Sequence, residues 1–115
     1  MSLNELRLAS QQAAEAFAEA AQSMSRRLLT ESLATDDDRL TRAIRLCLAR
    51  PPSAREVAAL KKLLAESRAY YKGDAAAAKE ATGTYAIKGV PPEETAAWTA
   101  TARIVLNMDE FITRE

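Results

Sequence analysis

Histidine is absent from this 115-residue chain, and cysteine, glycine and aromatic residues are scarce: one Cys, three Gly, two Phe, three Tyr and one Trp. Without histidine there is no imidazole base for a catalytic triad, no HExxH zinc site and no histidine ligand for haem. A lone Cys47 closes no internal disulfide and builds no multi-cysteine metal site. Gly73, Gly83 and Gly89 form neither a GxGxxG fingerprint nor a phosphate-binding loop. No run approaches the roughly 18 apolar residues of a membrane-crossing helix. No basic-then-apolar leader opens the chain. An excess of one charge is missing as well. Sixteen acids balance 16 bases, so no overall field draws the chain to nucleic acid or to an anionic surface. These absences predict a soluble polypeptide, intracellular or cut from something longer, with no cofactor, nucleic-acid or membrane partner of its own.

What the chain does have is alanine. Apolar residues make up 48%, but 25 of them are Ala. Alanine favours helix and buries little area, and a chain this short makes one small domain, here 1–115, that hides only a modest share of its surface. So thin a core predicts that a partner completes an apolar face, either a second copy in a homodimer or the remainder of a parent chain.

The period of the apolar residues is near 3.6 throughout, so the expected fold class is all-α. Leu6, Ala9, Ala13, Phe17, Ala20, Met24 and Leu28 form one stripe on a first helix from about Asn4 to Leu33. At 1.5 Å per residue that helix is more than about 40 Å long, too long for a compact domain of this size. Its first turns are therefore expected to fray, bend or dock on a neighbour, and Met1-Ser2-Leu3 reads as an added leader. Thr35 and the acids Asp36, Asp37 and Asp38 open a second helix, by capping and by matching its dipole. Its inward face is Leu40, Ala43, Ile44, Cys47 and Leu48. Pro51-Pro52 stops it, and Ser53 with Glu56 forms a capping box that starts a third helix at once. The third helix turns Val57, Leu60, Leu64, Ser67 and Tyr71 inward and ends at Gly73. Asp74 caps a short alanine helix that ends near Gly83, and Thr84–Pro91 is loop. Pro92-Glu93-Glu94 begins the last helix, which presents Trp98, Thr101, Ile104, Val105 and Met108, with Asn107 interrupting it before Phe111 and Ile112. The expected architecture is a bundle of about four helices, including a Pro-Pro-linked hairpin, with one short helix added.

Two stretches resemble a known family. They are RLTRAIRLCLARPPS from Arg39 to Ser53 and WTATARIVLNMDEFITRE from Trp98 to Glu115, with AAQSMSRRLL from Ala20 to Leu29 before them. Together they resemble the C-terminal end of the planctomycete cytochrome-associated domain of unknown function, number 1553 in its series. The likeness runs from about Ala20 to Glu115 and does not extend to residues 1 to about 15. It implies a large, exported, multidomain parent with haem, if present, in a separate upstream domain. It implies no catalytic residue in this segment. The positions it marks as motif or interaction candidates are Trp98, Asn107, Asp109, Glu110 and Phe111.

Other sharp readings have plainer rivals. Asp36, Asp37 and Asp38 do not make a calcium loop, because Leu40 stands at the third ligand position and no central glycine follows; they read as a helix start. Cys47 lies on an apolar face with Ile44 and Leu48, where a thiol packs and stays inert. Arg39, Arg42, Arg45 and Arg50 form a row that a phosphate groove would use, but nearby acids make it a salt-bridged surface. Tyr70, Tyr71, Tyr85 and Trp98 are either pocket aromatics or core. Asn107, Asp109 and Glu110 offer carboxylates without a base beside them, so a capped break in the helix fits them better than acid–base catalysis. The function expected is structural packing or protein–protein interaction without catalysis. The alternative is one wall of a site in a redox-linked or hydrolytic parent enzyme.

Overall fold

The computed structural model describes residues 2–31 and 33–113, with the side chains of all of these except 10, 13, 14 and 109–113. Five helices and no strand occur among the described residues: α1 (Leu3–Thr30), α2 (Asp36–Leu48), α3 (Ala54–Lys72), α4 (Ala75–Thr82) and α5 (Pro92–Thr113). The protein is all-α, as its periodicity predicts, with α4 as the short extra helix.

The boundaries follow from local chemistry. The Thr35 side chain accepts a hydrogen bond from the Asp38 amide and starts α2. Ser53 and Glu56 complete a reciprocal capping box at the start of α3, satisfying two amides that a helix end otherwise leaves open. Asp74 caps α4 through the Ala77 amide, so the chain resumes helix immediately after Gly73. Two boundaries differ from expectation. α1 stops at Thr30, whose hydroxyl donates back to the Arg26 carbonyl at 2.8 Å, and Glu31 turns to extended backbone. α5 runs through Asn107 without a break. An asparagine inside a helix costs well under about 1 kcal/mol, too little to interrupt one anchored by tertiary contacts.

α5 is the central helix. Thr95, Ala96, Ala97, Trp98 and Thr99 are all buried, and five consecutive residues span a whole turn, so every face of this segment is covered. It is flanked by α1, α3 and α4, with α2 closing the remaining side. Leu28, Leu40, Ile44, Leu64, Trp98 and Val105 are fully enclosed and form one core. Cys47 and Tyr71 pack against its edge. The predicted inward faces of α2 and α3 are the observed ones.

The first helix corrects the expected stripe. Its inward residues are Ala21, Ser25 and Leu28, while Leu6, Ala9 and Ala20 are exposed. At about 100° per residue the exposed positions lie roughly a third of a turn away from the inward ones. Alanine is small enough to sit on either face, so spacing alone does not choose between them. Buried Ser25 does choose, because its hydroxyl donates to the Thr95 carbonyl at 3.0 Å and ties α1 to α5. Ahead of this junction all described side chains from Ser2 to Ala16 are exposed, Leu3 by 83% and Leu8 by 57%. The first half of α1 thus projects from the bundle, and the molecule as a whole measures 49 Å along its longest axis.

Candidate functional site

Alanines at 18, 77, 81 and 100 leave a cleft of about 380 Å³ where α1, α3, α4 and α5 converge. Larger residues at those positions would fill it. Tyr70 and Tyr71 form one wall as an edge-to-face pair with ring centroids 5.0 Å apart. Tyr71 is half-buried, and burial pushes its hydroxyl above the ordinary value, reinforced by Tyr70 and opposed by the charge of Arg103. The guanidinium of Arg103 lies 5.9 Å from the centre of the Phe17 ring, a cation–π contact that steadies it on the rim. Gln22 donates its amide to the Ala81 carbonyl at 3.0 Å. A side chain at Gly83, whose φ is +59°, would place its Cβ 2.8 Å from that same amide nitrogen.

A second cluster holds three helices together. Arg68 on α3 donates to both oxygens of Asp36 at 2.8 and 3.0 Å, and through its Nε and Nη2 to Glu94 at the start of α5. Glu94 Oε1 also accepts the indole N–H of Trp98 at 3.1 Å. Asp36 is held below the usual carboxylate range, first by its hydrogen bond from Arg68, against a desolvation that pushes the other way. Arg68 is raised above its ordinary value, chiefly by bonding to Asp36 and then to Glu94. Groups locked in their ionised forms exchange protons poorly near neutrality, so this constellation suits a structural clamp better than general acid–base chemistry.

The residues singled out in the sequence are scattered. Trp98 is fully enclosed in the core and presents no surface to a partner. Asn107 is exposed on α5. The side chains of Asp109, Glu110 and Phe111 lie outside those described. Asp36 serves the clamp and Asp37 pairs with Lys61 at 3.0 Å. The arginine row is a salt-bridged surface for the most part: Arg39 meets Asp36, Arg42 meets Glu31 and Arg50 meets Glu56. Tyr70 and Tyr71 do line the cleft; Tyr85 and Trp98 do not. Sequence reasoning missed Arg103, Glu80 and Gln22, which are ordinary polar residues until the fold brings α1, α4 and α5 around one space.

Among the described residues, no cluster of His, Cys, Asp and Glu is placed to hold a metal ion, and no helix is long and apolar enough to cross a membrane. No family model, curated protein or solved structure matches the chain. Three features stand out among the described residues: a rigid ion clamp, an amphipathic cleft and an exposed helix segment.

Proposed function

We propose that the chain is a non-catalytic helical docking module whose contact element is the projecting half of α1. The observation that carries this reading is the exposure of Leu3, Leu6 and Leu8 on a helix that extends past the bundle. Exposed large apolar residues are ordinary singly, but three within two turns, on a segment whose described side chains are all exposed, mark a contact segment. Leu6, Ala9, Ala16 and Ala20 share one face, and such small residues let a second helix approach closely. The occupant proposed is a second copy of the chain, pairing helix to helix. The resemblance of Arg39–Ser53 and Trp98–Glu115 to the C-terminal end of the planctomycete cytochrome-associated domain adds a setting, a terminal module of a larger exported protein.

Light scattering after size-exclusion chromatography, across a concentration series, tests the reading. A dimer at micromolar concentration that dissociates on Leu6→Glu supports it. A monomer at every concentration rules out the second copy, and then only a longer chain carrying this module can supply the partner.

A further inference from the structure

We propose that the cleft between α1, α3, α4 and α5 binds a small zwitterion with an apolar body, in the simplest case an α-amino acid with an apolar side chain. Two unspent charges of opposite sign line this one space. Arg103 comes from α5 and Glu80 from α4, and neither makes an ion pair among the described residues, with each other or with any other group. Five of the nine other described arginines, Arg27, Arg39, Arg42, Arg50 and Arg68, have carboxylate partners, and none of the remaining four lines the cleft. A ligand bearing one charge would leave the other wall unmatched; a ligand bearing both satisfies the two together.

The surroundings assign an end to each charge. Glu80 lies in the last turn of α4, where the helix dipole is negative, so that end favours an ammonium group. Lys79 is its chain neighbour but does not line the cleft. Gln22 and Thr99 offer acceptors here, and the Tyr70 and Tyr71 hydroxyls either donate or accept. Gln22 commits one N–H of its amide to the Ala81 carbonyl and keeps its oxygen, and Thr99 donates its hydroxyl to the Thr95 carbonyl and keeps its lone pairs. An ammonium with three donors matches that set. Arg103, from α5, presents a fork suited to a carboxylate, with one face against the Phe17 ring. Ala18, Ala77, Ala81 and Ala100 and the Tyr70–Tyr71 pair supply the rest of the apolar lining. Tyr70 is 61% exposed, leaving ring surface for an apolar side chain to cover. A volume of 380 Å³ is close to the lower end of the roughly 300–1,000 Å³ range of ligand pockets, which sets the ligand at the size of one amino acid.

The test is a titration of the ¹⁵N-labelled chain with L-phenylalanine, followed by amide shifts. Two single-charge probes run beside it: 3-phenylpropanoate, which lacks the ammonium, and phenethylamine, which lacks the carboxylate. Phenylalanine is expected to saturate at millimolar concentration, with shifts centred on Tyr71, Ala81 and Ala100, and each single-charge probe to bind about tenfold more weakly. Glu80→Gln is expected to weaken phenylalanine and phenethylamine but not phenylpropanoate. Arg103→Gln is expected to weaken phenylalanine and phenylpropanoate but not phenethylamine. Glu80 is exposed and has no ion pair among the described residues, so the melt of Glu80→Gln should match the parent chain. Arg103→Gln gives up the Phe17 contact and should melt slightly lower without unfolding. The proposal is overturned if none of the probes gives a saturable shift at the cleft, if all three bind alike, or if each variant weakens all three equally.

Discussion

Replacing Arg68 by methionine removes the centre of the clamp while keeping much of the side chain's apolar stem. Arg68, Asp36 and Glu94 are between 29 and 32% exposed, so the cluster belongs neither with fully exposed pairs nor with buried ones. Exposed pairs contribute about 0–1 kcal/mol, and breaking a buried pair costs about 3–5 kcal/mol. Water reaches all three groups and screens them, which places the expected loss at roughly 2 kcal/mol. For a domain of this length that corresponds to a melting point lower by about 8 °C. Trp98 is the sole tryptophan and is fully buried, so its fluorescence reports unfolding in denaturant directly. A double-mutant cycle with Asp36→Asn should show coupling of about 1 kcal/mol, because Asp36 spends both oxygens on Arg68. Acid adds an independent check. The folded pKa of Asp36 lies below its ordinary 3.8, so its contribution is complete above about that pH and is lost as pH falls through the folded value. Arg68→Met should remove that part of the acid dependence. A loss below about 0.5 kcal/mol, or strictly additive single mutants, would refute the assignment of a structural clamp.

Ala49, which ends α2, has φ 55° and ψ 31° in the left-handed region. Ala49→Gly should stabilise the chain by about 1 kcal/mol, read as a higher denaturant midpoint at constant slope. Thr95 is 1% exposed and its hydroxyl has no hydrogen-bond partner among the described residues. Thr95→Val keeps the shape and should raise stability by about 1 kcal/mol; a loss instead would mean that the hydroxyl has a partner in solution. The Arg50 hydrogen bond, then the Ser53 amide, lowers Glu56 from its ordinary 4.5 to about 2. Its contribution is therefore present above pH 4.5 and lost between there and about pH 2, so a Glu56→Gln variant should show a flatter stability profile in that window.

Helix positions were legible because their causes are local. Thr35, Ser53 with Glu56, Asp74 and the Pro51-Pro52 stop each act within a few residues of themselves, and each stands where its chemistry predicts. The inward faces of α2 and α3 were legible too, since Leu40, Ile44, Leu60 and Leu64 are bulky and fall on one side. Trp98 was legible as a core aromatic and also as an interaction candidate, and its complete enclosure decides for the core.

By itself, the amino-acid order determined an all-α chain, with most of its helices beginning and ending at readable caps and with charges too balanced to set up a long-range field. Only the tertiary structure decided which side of alanine-rich α1 faces inward, since alanine carries too little apolar area to commit a face, and the choice falls to a bond between Ser25 and Thr95, 70 residues apart. The same holds for the clamp, whose partners lie 26 and 32 residues from Arg68, and for the cleft, which exists because four helices each bring a small or polar residue to one point. Local chemistry writes helices. Juxtaposition across the chain makes sites, and no periodicity records it in advance.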